Sequence, residues 1–242
     1  MKVIISESEC KILGLKVARI ELNNSFDVKE IIDVFNNYEI NLLRLKIINP
    51  NKDIYFRLTE LNIPYYLMNI STIFYSDANR VLLAEDCEDF RFVNYTQQYE
   101  EILKASALDI FRGNGGAYFN NPHTAEIYNN EDELKALSEY ISKQFTNDKN
   151  IWTKIIFHED TIAGFVSYTI ENNYALGNLF GVLPKYRSKG LGKKIGTFVL
   201  NNFIGTEVYN YVQIQHYPSL SLHYSLNMKP VGVAYTYQIF RK

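Results

Sequence analysis

Six of the twelve glycines in this chain, Gly177, Gly181, Gly190, Gly192, Gly196 and Gly205, fall between residues 177 and 205. Backbone freedom is therefore concentrated at one place, and glycine is needed where a chain bends sharply or must approach a ligand. The residues there read Leu179-Phe180-Gly181-Val182-Leu183-Pro184-Lys185-Tyr186-Arg187-Ser188-Lys189-Gly190-Leu191-Gly192-Lys193-Lys194-Ile195-Gly196. A strand ends at Val182, Pro184 stops further ladder pairing, and a basic loop turns into a helix whose first amides face back to the loop. Free N–H groups at a positive helix end make an anion site, and Gly190 and Gly192 allow phosphate oxygens to come close. Arg187 and Lys189 add charge, as do Lys193 and Lys194, so a pyrophosphate is the natural ligand. The alternative is a tight turn whose lysines merely solvate a helix face.

Elsewhere the pattern predicts a β-α-β-α-β unit: strands at 17–22 and 41–48, helices at 28–35 and 54–61, then strand runs at 65–68 and 73–75. Turn formers at 76–79 and the acidic run Glu85-Asp86-Cys87-Glu88-Asp89 break the periodicity, placing a domain seam near residue 86. The expected domains are 1–85 and 86–242. Beyond the seam we expect a strand at 90–93, a helix at 97–111, a glycine loop at 113–116 and a helix at 131–145. A three-stranded antiparallel meander (152–157, 162–170, 174–182), a helix at 190–203, a strand at 207–215, a short helix at 219–225 and a strand at 231–240 complete the outline. The fold class is α/β (α+β): a mixed, mostly antiparallel sheet with helices on both faces, behind a small β/α N-terminal domain.

The charge balance, 25 Lys plus Arg against 27 Asp plus Glu, leaves a net charge of −2 and no broad attraction for a polyanion, which disfavours nucleic acid as a partner. Hydrophobic residues at 47% suffice for a sizeable core. No apolar run approaches the roughly 18 residues of a membrane span, and Ser6 and Glu7 interrupt the start before a signal-peptide core forms. A cytoplasmic protein with no membrane partner is expected. Cys10 and Cys87 are the only cysteines, without metal-ligand spacing, and the consecutive His158-Glu159-Asp160 at a hairpin tip diverge, so no metal is assigned.

The strand ending Val182-x-Pro184, followed by Arg187-x-x-Gly190-x-Gly192, resembles the acetyl-CoA motif of the GNAT superfamily of N-acetyltransferases, V-x-P then R/Q-x-x-G-x-G/A. The element order from about Phe90 is also similar to that superfamily's. The resemblance implies that backbone amides from Arg187 through Ser188, Lys189, Gly190 and Leu191 to Gly192, with Lys193 beside them, hold the CoA pyrophosphate. It implies that Phe180, Gly181 and Val182 splay from the next strand to bind the pantetheine arm and thioester carbonyl. The stretch from Pro218 to Met228 is similar to the family's N-P-x-x-x-x-L-Y segment and puts Tyr224 at the tyrosine that protonates the departing thiolate. A phenol, titrating ordinarily near ~10, carries its proton at neutral pH. Tyr217 stands where Asn is usual and His223 where Leu is, and Asn227-Met228 stand for a later Gly-Phe. Chain order, and an aromatic ending from Val233 to Tyr237, resemble the amino-sugar acetyltransferases of the TDP-fucosamine type.

That likeness implies direct attack of a neutral primary amine on acetyl-CoA, with a backbone N–H at Val182 stabilising the oxyanion and no metal. The base that takes the amine's proton is expected at His216, with Glu207 and Glu171 behind it. Arg112, Tyr118 and His123 flank the glycine loop where the acceptor, a small-molecule amine such as a TDP- or UDP-amino sugar, is expected. Three readings stay open: another small amine or a peptide N-terminus as acceptor, a non-catalytic acyl-CoA-binding module, and a dinucleotide oxidoreductase. Only fifty residues follow Gly192, too few for the further βα units the last requires. Whether the chain pairs as a homodimer is left open.

Overall fold

The computed structural model describes residues 1–80, 89–113, 138–139, 141–146 and 148–241. The seam expected near residue 86 and the glycine loop from residue 114 onward lie outside the described residues. Contacts divide the chain into two compact units, one from residues 1–73 and 232–241, the other from 74 to 231 among the described residues. The division falls inside two strands, β4 (Tyr65–Ser76) and β10 (Lys229–Phe240). Among the described residues, no helix is long and apolar enough to cross a membrane.

The first unit holds β1 (Ile4–Ile5), α1 (Glu7–Leu13), β2 (Val17–Asn23), α2 (Val28–Asn37), β3 (Leu42–Ile48) and α3 (Ile54–Glu60). Asp27 starts α2 by accepting the Lys29 N–H at 2.7 Å, and Ile31, Val34 and Phe35 give that helix its buried stripe. β2 and β3 pair in parallel, and the C-terminal strand pairs antiparallel with β3 from Ala234↔Ile48 to Phe240↔Leu42, giving the order β1-β2-β3-β10-β4. The runs expected at 65–68 and 73–75 are one continuous strand, and α1 is a helix that periodicity did not announce. It is anchored by Glu9, whose carboxylate meets Arg19 and Arg44. Burial alone would raise the Glu9 pKa, but the two guanidinium charges outweigh it and hold the carboxyl below its ordinary value.

The second unit holds β5 (Phe90–Asn94), α4 (Glu100–Gly113), helical residues 138–139 and 141–144 (α5), β6 (Ile151–His158), β7 (Thr161–Glu171), β8 (Tyr174–Val182), α6 (Leu191–Asn202), β9 (Glu207–Gln213) and α7 (Tyr217–Ser225). The expected meander is present: β5 to β8 run antiparallel in sequence, and β9 joins β8 in parallel. Helices cover both faces. Gly164 and Gly181, one position apart in register and so on opposite faces, meet Ile195 of α6 and Ile110 of α4 respectively. Val166, Ile195, Val199, Leu200, Val208 and Met228 are part of the core beneath α6.

Arg80 closes the far end of α6. Its guanidinium donates to the carbonyls of Leu200 (2.8 Å), Phe203 (2.9 Å), Thr206 (3.1 Å) and Asp77 (2.6 Å), satisfying acceptors that a helix C-terminus leaves open. Arg80→Ala is therefore expected to lower stability by about 3 kcal/mol, as the loss of several charge-assisted bonds should. Chemical denaturation measures it, and a change under about 0.5 kcal/mol would contradict this role.

Candidate functional site

The site begins where two strands part. β8 and β9 pair only at Tyr174↔Glu207, Ala175↔Val208 and Leu176↔Tyr209, although both run on, β8 to Val182 and β9 to Gln213. Two local features account for the parting. The β7–β8 register slips by one residue at Asn178, whose side chain exchanges hydrogen bonds with Thr169 (2.9 and 3.1 Å), and such a bulge bends a strand. On the other side the buried Asn210 side chain sits where a β-carbon at Gly177 would be, so with Asn210 in this place it acts as a wedge against the bare glycine. Among the described residues, the β8 backbone from Gly177 to Val182 thus has no ladder partner on its β9 side.

After Val182 the chain makes a 3-10 turn over Pro184–Tyr186. Arg187 is extended, Ser188 takes φ 58° and Gly190 φ 79°, and α6 begins at Leu191. The Lys193 and Lys194 amides both close on the Gly190 carbonyl (3.0 and 3.2 Å), while among the described residues no backbone bond uses the N–H groups of Ser188, Lys189, Gly190, Leu191 or Gly192. Nothing lies within 4 Å of where a Gly190 side chain would start. Lys185, Arg187, Lys189, Lys193 and Lys194 surround this turn, and no acidic residue falls between 185 and 194. Five such amides at a helix N-terminus in a basic turn are an arrangement able to accept an anion.

The basic side chains are not equivalent. Arg187 does not simply add charge: its Nε–H donates to the Val182 carbonyl at 2.9 Å. The Lys194 ammonium lies 5.7 Å from the Phe90 ring centre, and that of Lys185 5.4 Å from the Tyr186 ring. Lys189 and Lys193 are exposed. Gly181 has another duty, because a β-carbon there would strike Phe165 and Ile110. Phe180 and Val182 are half-buried on the opposite face of β8.

α7 docks directly on α6. Leu222 lies 3.7 Å from the position a Gly192 β-carbon would take, and the Leu226 side chain packs so closely on Gly196 that it would have to shift to admit a β-carbon there. Tyr224 follows from this docking: it is exposed, and its ring stands edge-on to Phe74 at 5.1 Å. His216 is the residue capping the start of α7, with Nδ1 2.6 Å from the Ser219 hydroxyl. Burial, and then the nearby Arg187 charge, lower its pKa, so the neutral imidazole predominates at pH 7.

In the sequence His223 stands out only where leucine is usual in the similar family segment. Its Nδ1–H donates to the Ser219 carbonyl (2.7 Å), its ring packs on Phe74 at 5.0 Å, and burial lowers its pKa. The spacing of His216, Ser219 and His223, three and seven residues apart on one short helix, was the available signal. The other departures are structurally conservative. Asn227 adopts φ 55°, a left-handed conformation otherwise left to glycine, and Met228 is buried. The Asn227 amide bonds to the Tyr224 carbonyl and the Met228 amide to that of His223, the two bonds of a Schellman helix end.

The secondary base candidates are engaged elsewhere. Glu207 accepts the phenols of Tyr75 (3.1 Å) and Tyr209 (3.1 Å), and Glu171 that of Tyr174 (2.9 Å). Desolvation and the bond to Glu207 push the Tyr75 phenol up to about 12. Tyr118 and His123 lie outside the described residues. Arg112 falls within α4, its side chain outside them. Among the described residues no group of three or more His, Cys, Asp or Glu is placed to hold a metal ion.

Residues 117–227 match the model of the acetyltransferase (GNAT) family. No curated protein matches the sequence. Among solved structures, the chain is similar to a conserved protein of unknown function from Staphylococcus epidermidis (TM-score 0.64, 11% identity, covering 97% of this chain and 89% of that one). It is also similar to a GCN5-related N-acetyltransferase from Kribbella flavida (TM-score 0.58, 13% identity, 94% and 82% covered). A GCN5-related N-acetyltransferase from Sphaerobacter thermophilus gives a TM-score of 0.53 at 12% identity, with 84% and 61% covered. The fold is the GNAT fold.

Proposed function

We propose that this chain transfers the acetyl group of acetyl-CoA to the primary amine of a small molecule, a TDP- or UDP-linked amino sugar being the acceptor we favour. One observation carries the reading: five consecutive amides, from Ser188 to Gly192, that have no backbone acceptor among the described residues, at the mouth of two strands that part. In this reading those amides hold the diphosphate of CoA. Phe180 to Val182 line the pantetheine arm, and the Val182 N–H receives the oxyanion. The amine nitrogen attacks the thioester carbon, so a C–N bond forms and the C–S bond breaks in one ternary complex. His216 takes the proton released by the amine, and Tyr224 gives one to the thiolate. Arg112, Tyr118 and His123 are proposed to contact the acceptor. The proposed organisation is residues 1–85 as an N-terminal domain ahead of the acetyltransferase domain, 86–242.

The test is mass-spectrometric detection of acetylated product from a panel of TDP- and UDP-amino sugars, simple polyamines and peptide N-termini. Product from a nucleotide sugar supports the finer assignment; product from another class replaces the acceptor, and no product with any amine removes the enzymatic reading.

A pH dependence follows from His216. Because burial and Arg187 disfavour its imidazolium, the proton-accepting form persists below the ordinary histidine pKa of about 6.5 and is lost only as the pH falls further. Turnover with saturating substrates should therefore hold at pH 6.5 and drop below it, and His216→Gln should lower the rate about 10- to 100-fold and abolish that acid limb. An unchanged limb in the variant would assign it to another group.

A further inference from the structure

We propose that Arg187 is a positioning residue for acyl transfer, its guanidinium tying the end of β8 to the phosphate turn rather than binding the diphosphate; this rests on the acetyl-transfer reading above. The bond runs from Nε–H back five residues to the Val182 carbonyl, at 2.9 Å. It closes a small ring of structure in which the Tyr186 amide meets the Leu183 carbonyl (2.9 Å) and the Arg187 amide that of Pro184 (3.2 Å). The Leu183 amide is held by Ala163 (2.9 Å), and Val182 is the last β8 residue in register with β7, opposite Gly164. The peptide on the C-terminal side of Val182 is thus fixed from both ends. These two bonds restrain rotation about ψ of Val182, and with it drift of the strand end relative to the amides of Ser188 to Gly192. A charge-assisted bond to a carbonyl suits this task, because it is short, directional and sheltered.

The chemistry of the side chain makes the proposal discriminating. Arginine Nε and glutamine Nε2 are the same number of bonds from the backbone, so glutamine offers an N–H where arginine does. Lysine keeps the charge but has carbon at that position and its nitrogen one bond further out. If Arg187 positions Val182, Arg187→Gln should keep kcat within about threefold of the parent, and Arg187→Lys should lose about tenfold. CoA affinity by calorimetry should change less than about threefold in both. If Arg187 instead serves the diphosphate by charge, the order reverses: lysine is tolerated, while glutamine loses about tenfold or more in CoA affinity with kcat little altered. That outcome would overturn the proposal.

A second measurement needs no substrate. Amide hydrogen exchange at Tyr186 and Arg187 in the free protein should rise in Arg187→Ala and Arg187→Lys and stay near the parent rate in Arg187→Gln. Equal exchange in all four proteins would equally overturn it. Because this second readout does not depend on acetyl transfer, a parent protein that acetylates nothing would end the functional reading while the tie itself is still decided.

Discussion

Gly192→Glu is expected to weaken CoA binding by at least about 100-fold while leaving the fold as stable as before. Gly192 carries an ordinary φ, and a β-carbon there meets only Leu222 at 3.7 Å, so the position accepts a side chain without strain. A glutamate in the first turn of α6 is favourable to the helix itself, since it opposes the positive end of the dipole. It is ruinous to an anion held at the same amides: two unit charges about 4 Å apart repel by about 4 kcal/mol at an effective dielectric near 20. Gly192→Ala, adding bulk without charge, should bind CoA within about threefold of the parent. Calorimetry of CoA with both variants, alongside thermal melting, separates loss of the ligand from loss of the fold; unchanged binding in Gly192→Glu would mean that the diphosphate does not lie here.

Tyr224→Phe is expected to reduce turnover by about 10- to 100-fold, the range for losing one proton donor, with CoA affinity within about twofold. The phenyl ring keeps its edge contact with Phe74 at 5.1 Å, and Tyr224 is exposed, so the substitution removes a hydroxyl and little packing. A selective fall in kcat places the hydroxyl in the chemical step. An unaffected rate would take Tyr224 out of the mechanism and turn attention to His223, the imidazole packed on the same Phe74 ring.

Much of this was legible in the chain because it rests on local rules. The meander could be read from alternation and turn residues, and Val182-x-Pro184 followed by glycine at 190 and 192 announced a strand, a stop and a helix start. What escaped were pairings between distant segments. Nothing in the order of residues says that the segment from Ala234 to Phe240 lies against β3, because register depends on partners, not on the strand's own pattern. Asn178 and Asn210 are ordinary asparagines in sequence; only when β7, β8 and β9 are side by side do they become a bulge and a wedge. Arg187 shows the same limit, for its charge suggested phosphate while its Nε–H is spent on a carbonyl five residues away. Asn227 is the converse case, a departure from the family pattern that tolerance of positive φ reconciles with a normal helix end.

The most direct measurement is a crystal of the protein soaked with acetyl-CoA. Diphosphate oxygens are expected within hydrogen-bonding distance of amides between Ser188 and Gly192, with the pantetheine arm running along the unpaired side of β8. A diphosphate bound anywhere else, or a turn after Pro184 that stays closed on its own side chains while the ligand binds, would contradict it.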